Sequence, residues 1–174
     1  MDYFWIIVVV VIVVIVGMLY LVDAFLKKQE KREIRALQLE LSRSRQEFFL
    51  PNRFEAYQRA ILFLERIHPN NLLLRRRMPQ ASAKLYQSEL LKTIREEYNH
   101  NVAQQLFISK AGWNMIKKGR EDIARIINLA GDQMKEDSTA QDLSIQIMEM
   151  LAQLEDLTLE IAIDFLKDEF KEML

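Results

Sequence analysis

The sequence predicts an all-α protein in which one N-terminal transmembrane helix continues into a stalk helix, followed by a cytoplasmic bundle of four or five helices. Only 4 glycines and 3 prolines occur in 174 residues, too few for many short strands joined by turns. The apolar residues beyond the first stretch recur at helical spacing. Residues 3–22 contain no charged side chain, and a helix of that length spans roughly 30 Å, the thickness of the bilayer core.

Residues 1–25 are predicted to be the membrane anchor. Tyr3 and Trp5 at one end, and Tyr20 and Phe25 at the other, occupy positions typical of interfacial aromatic residues. A cleaved signal peptide fits poorly, because Asp2 replaces the basic start and no pair of small residues follows the apolar run. We therefore expect the segment to remain attached as a single span.

Basic residues follow the span directly, whereas the short N-terminus carries none. By the positive-inside rule, the N-terminus should be periplasmic and the C-terminal region cytoplasmic, with the protein in a bacterial inner membrane. The absence of cysteine excludes disulfides and thiolate metal sites and agrees with a reducing compartment. The basic residues expected to face lipid beyond the span are Lys27, Lys28, Lys31, Arg32 and Arg35.

The near-neutral net charge conceals a division along the chain. Residues 24–120 hold 8 Lys and 12 Arg against 9 Glu, whereas residues 121–174 hold 4 basic and 14 acidic residues. The acidic helices can neutralise the basic ones within one domain, or the basic half can contact anionic lipid or a ribosome. For the lipid alternative, Arg75, Arg76 and Arg77 join the basic residues beside the span. Nucleic acid is not the expected partner, because no signature with stacking aromatics accompanies the arginines.

Residues 26–50 are predicted to form the stalk helix. A 3,4,3,4 spacing relates Ile34, Leu37, Leu41, Ser44 and Phe48, which is typical of a coiled-coil seam over about two heptads. This length leaves the formation of a homodimer open. The stalk is expected to end at residues 50–52, around a proline, with the bundle occupying residues 51–174.

Within the bundle, helices are expected at residues 53–67, 81–106 and 111–130, with a loop between the first two. The first should bury Phe54, Tyr57, Ile61, Leu64 and Ile67. Gly131 is expected to terminate the third as a C-cap glycine. Residues 139–174 form either one helix or two with a break near 156–158. Their predicted apolar stripe comprises Leu143, Ile147, Met150, Leu151, Leu154, Leu157, Ile161, Phe165 and Phe170.

The apolar stripe of the second bundle helix continues onto amides, since Tyr98 is followed at helical spacing by Asn101 and Gln105. Buried amides need partners, so these two could bond the turn at residues 69–71 and fix how two helices dock. Alternatively, the polar stripe and its aromatics form a docking face for another protein. The candidate residues for a polar core or a partner site are Tyr98, His100, Asn101, Gln104, Gln105 and Trp113.

Two segments, RFEAYQRAILFLERIHPNNLLLR from residue 53 and LLKTIREEYNHNVAQQLFISKAGW from residue 90, carry a family resemblance. They resemble a domain-of-unknown-function family of small single-pass membrane proteins from Bacteroidota. Residues 96–105 are the most specific piece, and the resemblance covers the span and about half of the remaining chain. It implies an N-terminal span followed by a helical cytoplasmic region, and it supplies no catalytic residues.

Both histidines follow a glutamate by three residues, as in the Glu-x-x-His pairs of di-iron bundles. These pairs are Glu65 with His68 and Glu97 with His100, and further ligands could come from Glu121, Glu149 or Glu155. Metal ligands in such bundles must project into the core. His68 instead falls in a turn before a proline, and His100 lies about 120° from the apolar stripe on a helical projection. We therefore expect no metal, cofactor or catalytic residues.

The function expected from the sequence is a non-enzymatic accessory or scaffold subunit of a larger inner-membrane assembly. Its expected partners are the bilayer and one or more membrane proteins. Two alternatives remain: a di-metal carboxylate enzyme built on the Glu-x-x-His pairs, and a basic tether to anionic lipid or the ribosome.

Overall fold

A computed structural model describes the backbone of residues 2–172 and the side chains of residues 15 and 17–172. Over that range the chain forms helices and no strand, which confirms the all-α prediction. One short 3-10 helix, Val102–Leu106, follows α3. The α-helices are α1 (Asp2–Ile67), α2 (Pro69–Arg75), α3 (Ala83–Asn101), α4 (Lys110–Asp132), α5 (Ala140–Ala152) and α6 (Thr158–Lys171).

The chain divides into two compact units, residues 1–49 and residues 50–174. Among the residues described in full, no helix has an apolar stretch long enough to cross a membrane. The predicted anchor, residues 1–25, falls largely on residues 1–14 and 16, whose side chains lie outside the described part of the chain. The anchor therefore stays a prediction, as does the division into residues 1–25, 26–50 and 51–174.

Helix α1 continues through Pro51, so the helix break expected at residues 50–52 is wrong. A proline inside a helix removes one backbone hydrogen bond and crowds the preceding turn, which costs about 3 kcal/mol. Packing beyond the proline can offset this cost, because tertiary contacts supply most helix stability in proteins. The buried residues that follow Pro51 on α1 are Ala56, Tyr57, Ala60, Phe63, Leu64 and Ile67.

The core of the second unit lies between the C-terminal part of α1 and helices α3 to α6. Helix α4 packs against α3, α5 and α6, and buries a stripe that includes Trp113, Ile116, Ile123 and Ile127. Leu90 of α3 is fully buried in the same core. The expected inner face of residues 53–67 is right for Tyr57, Leu64 and Ile67, whereas Phe54 is exposed and Ile61 is half-buried.

Residues 69–75, expected to be loop, form helix α2. Pro69 stands at the start of this helix, where its missing N–H costs nothing because the first helical N–H groups have no intrahelical partner. Leu72 and Leu73 are buried, which ties the short helix to the core. The expected turn at His68 is present, between α1 and α2.

Gly131 does not terminate α4, which continues to Asp132. A Cβ at Gly131 would overlap the amide at the end of the Gln87 side chain on α3, which would have to move aside to accommodate it. The last stretch is two helices, α5 and α6. A stripe predicted for one continuous helix does not continue on the same side of a second helix after a break. Three members of the expected apolar stripe are therefore exposed: Leu154, Ile161 and Phe165.

The starts of α3 and α5 meet at an isolated antiparallel bridge between Ser82 and Thr139. Each is the N-cap of its helix, and each side chain accepts a hydrogen bond from a backbone N–H of the first turn. Asp142 completes a capping box with Thr139. Two helix starts are thereby held at one place in the second unit.

Candidate functional site

The structure brings two of the predicted residues, Tyr98 and Trp113, into one cluster. Their ring centroids are 5.8 Å apart, and the ring of Phe63 lies 6.0 Å from Tyr98. The guanidinium carbon of Arg120 lies 4.1 Å from the centre of the Tyr98 ring. Aromatic pairs and cation–π contacts of this kind each contribute on the order of 1 kcal/mol. This Tyr98 cluster, which consists of these four residues, joins α1, α3 and α4.

Beside it, Glu97 joins α3 to the two preceding helices. Its carboxylate accepts hydrogen bonds from Arg75 Nη1 at 2.8 Å and Arg66 Nη1 at 3.3 Å. Arg75 Nη2 also donates to the backbone oxygen of Arg66 at 3.1 Å. Two guanidinium groups therefore balance one poorly exposed carboxylate. We call Arg66, Arg75 and Glu97 the Glu97 network.

Asn101 is buried as expected, but its partner differs from the expected one. Its Nδ2 donates to the backbone oxygen of Glu97 in its own helix at 2.8 Å. It is Asn71, within α2, that reaches across the turn, where its Nδ2 donates to the backbone oxygen of Glu65 at 2.9 Å. The hypothesis that Asn101 bonds the turn at residues 69–71 is therefore wrong.

Gln105 is exposed, and Gln104 is half-buried. The expectation of a buried amide at Gln105 assumed that α3 continues at 100° per residue. The chain instead turns into a 3-10 helix after Asn101, with about 120° per residue, so Gln105 leaves the buried stripe.

His100 is exposed and lines a groove of about 310 Å³ between α1 and α3. Leu62 lies exposed in this groove, with Arg59 and Arg66 one helical turn away on either side. Arg59 also pairs with Glu55, with 2.8 Å between Nε and Oε1. We call this surface the His100 groove. Arg59 and Arg66 are each paired with a carboxylate, so the groove presents an exposed leucine among paired charges and suits a partner segment that contributes an apolar side chain.

The residues of the hypothetical di-metal site are not assembled. His68 Nε2 lies 3.4 Å from Glu160 Oε1 on α6, while the Glu97 carboxylate is held by two arginines. In the part of the chain that the structure describes, no three histidine or acidic side chains are grouped so that they could hold a metal ion.

The predicted basic residues fall into two classes. Arg75 pairs with Glu97, and Arg76 Nη1 lies 3.8 Å from Glu89 Oε1, so both serve contacts inside the second unit. Arg77 is exposed. In the first unit, Lys27 pairs with Asp23 at 2.7 Å. The other four basic residues predicted to face lipid in the first unit are exposed and make no ion pair with any described residue: Lys28, Lys31, Arg32 and Arg35.

A buried polar pair was missed by the sequence interpretation. Tyr57 Oη and Glu169 Oε2 are both buried, and neither has a hydrogen-bond partner of acceptable geometry. Burial, reinforced by the neighbouring Glu169, raises the pKa of the Tyr57 phenol. The pair lies beside the first turn of α4, where a Cβ on Gly112 would come within 2.7 Å of Glu169 Oε2.

Residues 1–173 match the model of a family of unknown function, DUF7935. The chain belongs to this family. The match confirms the resemblance to a family of unknown function and extends it over nearly the whole chain, whereas the resemblance covered the N-terminal apolar segment and about half of the remaining chain. Neither curated proteins nor solved structures show a match to this DUF7935 chain.

Proposed function

We propose that this chain is a non-enzymatic, membrane-anchored accessory or scaffold subunit of a larger inner-membrane assembly. In this proposal residues 1–25 span the membrane, the N-terminus is periplasmic, the helical second unit is cytoplasmic, and the source is a member of the Bacteroidota. The uncharged residues 3–22 and the basic residues after them support the anchor and its orientation.

One observation carries the scaffold role: the polar groups of α3 are used to dock helices. Glu97 bridges Arg66 and Arg75, and the ring of Tyr98 lies beneath Arg120. These contacts fix the relative positions of α1 to α4 and leave the His100 groove open beside them. A rigid helical surface with one such groove suits a protein that positions a partner.

The membrane anchor is tested by extracting native membranes with alkaline carbonate and then with mild detergent. We expect the full chain to resist carbonate and to dissolve in detergent. A variant with Val10→Arg and Val13→Arg places two charges within the span, each costing about 2.5–3.5 kcal/mol near the bilayer centre, and should be released by carbonate. Release of the unaltered chain by carbonate would contradict the anchor.

The scaffold role is tested by affinity purification of the tagged full chain from native membranes, followed by native mass measurement of the eluted complexes. A protein that co-elutes at fixed stoichiometry is expected. Leu62→Glu introduces a negative charge into the His100 groove and should release that protein. Leu85→Glu is the matched control, because Leu85 is also an exposed helical leucine but lies outside the groove. Equal retention by both variants would exclude the groove as the contact.

The tether to anionic lipid remains a second candidate because of one observation in the first unit. Lys28, Lys31, Arg32 and Arg35 lie within about 100° on one side of α1 at 100° per residue, and none pairs with a described residue. Each basic residue near an anionic surface contributes about 1 kcal/mol. Replacing all four with Gln should reduce the anionic lipid that the purified chain retains in native mass spectra, whereas replacing Arg43 and Arg45 should not. Equal retention would argue against this candidate.

A further inference from the structure

The first unit exposes an apolar seam that no described residue covers. Ile34, Leu37 and Leu41 are 48%, 59% and 60% exposed, and successive members are separated by three and four positions. Residues at this spacing lie along one side of a helix. Large aliphatic side chains in such an arrangement lose water contact when a second helix packs along them.

The identities of the seam residues indicate what covers them. In heptad notation Ile34 and Leu41 occupy a positions and Leu37 occupies a d position. In parallel coiled coils, isoleucine at a with leucine at d, as at Ile34 and Leu37, favours two strands over three or four, although Leu41 at the second a position is not β-branched. The next two seam positions are Ser44, a polar residue at d, and Phe48, whose ring packs edge-on against Phe49 with 5.3 Å between centroids; the aliphatic seam is therefore confined to Ile34, Leu37 and Leu41.

The charges beside the seam suit a second copy of the same segment. Glu40 occupies a g position and Arg45 the e position of the following heptad, which is where interhelical ion pairs form in parallel coiled coils. Among the described residues Glu40 makes no ion pair, and Arg45 donates its Nε only to the backbone oxygen of Leu41, at 3.3 Å. A two-fold pair of chains would place each Glu40 beside the other chain's Arg45.

We propose that residues 34–45 of α1 form a parallel, in-register coiled coil with the same residues of a second copy of this chain. The parallel orientation rests on the proposed membrane anchor, because two chains inserted with the same topology present their stalks side by side. Residues 34–45 make up less than two heptads, which is short for a free coiled coil. Confinement of both chains to one membrane raises their effective concentration and compensates for the short seam.

Disulfide trapping tests the register directly, because the chain has no native cysteine. In the proposed pair, Cys at position 37 or 41 faces its counterpart within the roughly 4.4–6.8 Å Cα separation that a disulfide needs. Leu39→Cys is the matched control, since Leu39 is 64% exposed and occupies an f position on the opposite side. Its Cα atoms would be about 15 Å apart, given an interaxial distance of about 10 Å and a Cα radius of about 2.3 Å.

Mild oxidation of native membranes should therefore convert the Leu37→Cys and Leu41→Cys full-length chains from 20.6 kDa to twice that mass, and leave Leu39→Cys unchanged. Failure of both seam variants to form a dimer would overturn the proposal, as would equal cross-linking of all three. If the Leu37→Cys and Leu41→Cys chains cross-link, the Leu39→Cys chain does not, and alkaline carbonate releases the chain from the membrane, the coiled coil is supported and the membrane anchor is contradicted.

A charge exchange in the Leu37→Cys chain tests the partner of Glu40. Glu40→Arg alone places four like charges along the seam and should reduce cross-linking about tenfold, as expected for loss of the favourable pairs together with new repulsion. Adding Arg45→Glu restores complementary charges and should restore cross-linking. Arg43→Glu, at an outward c position, is the control and should have no effect. If the extent of cross-linking is the same with and without these charge substitutions, the assignment of a parallel partner is overturned.

Discussion

Replacing Glu97 with glutamine tests how much the Glu97 network stabilises the second unit. The Glu97 side chain is 12% exposed, whereas those of Arg66 and Arg75 are 48% and 34% exposed. Hydrogen bonds to charged groups contribute about 1.5–3 kcal/mol each when shielded, and solvent screening of the arginines lowers this value. Glutamine keeps the size of the side chain but leaves two neighbouring cations uncompensated. We expect a loss of about 1.5 kcal/mol in the free energy of unfolding.

The adjacent residue offers a matched control. Glu96 is 59% exposed, and its carboxylate lies 3.9 Å from Lys92 Nζ, so Glu96→Gln should cost less than about 0.5 kcal/mol. Thermal unfolding of the full chain in mild detergent, followed by circular dichroism, measures both variants. For a unit of this size, about 1.5 kcal/mol corresponds to a fall in Tm of about 6 °C. If Glu97→Gln unfolds at the same temperature as Glu96→Gln, the network does not hold the helices as argued.

Two further predictions concern the core and a helix cap. Leu90 is fully buried, whereas Leu85 in the same helix is exposed. Leu90→Ala should therefore lower the free energy of unfolding, measured in urea, by about 2–5 kcal/mol, and Leu85→Ala by less than about 0.5 kcal/mol. Similar losses for the two variants would contradict the assigned core. Hydrogen bonds from Thr139 hold the pKa of Asp142 below its ordinary value of 3.8. The bonds to the ionised carboxylate therefore stabilise the folded state fully above the ordinary pKa. This stabilisation is lost as the pH falls through the lower pKa that Asp142 has in the folded chain. Asp142→Ala removes both bonds and should therefore lower Tm at neutral pH, and the difference in Tm from the unaltered chain should narrow in acid; a difference independent of pH would refute the role of Asp142.

The helices were predictable where local sequence and packing agree. The buried stripe of α4 was readable because the apolar residues Trp113, Ile116, Ile123 and Ile127 recur at helical spacing. The continuation of α1 through Pro51 was not, because proline and its neighbour disfavour a helix locally and only the packing of later residues reveals the compensation. Helix α2 was missed for a related reason, since Pro69 both ends α1 and begins the next helix.

The candidate site was predictable only in part. The aromatic residues near the predicted amide stripe identified Tyr98 and Trp113, but no local pattern indicates that Arg120, on a different helix from Tyr98, covers the Tyr98 ring. Likewise, the partners of Glu97 are 22 and 31 positions away in the chain, so spacing alone suggested a metal ligand where the structure has an ion pair with two arginines. Contacts between distant residues depend on how helices dock, which composition and periodicity do not specify.

The bridge between the two helix caps has a consequence for hydrogen exchange. The first backbone N–H groups of a helix have no intrahelical acceptor and ordinarily exchange rapidly with solvent. Here Ala83 donates its N–H to the backbone oxygen of Ser138 at 2.9 Å, and Ala140 donates to that of Ala81 at 3.0 Å. Each bond joins segments far apart in sequence, so it can open only when the starts of α3 and α5 separate. These two amides should therefore exchange as slowly as core amides, and they report on unfolding of the whole second unit rather than on fraying of a helix end.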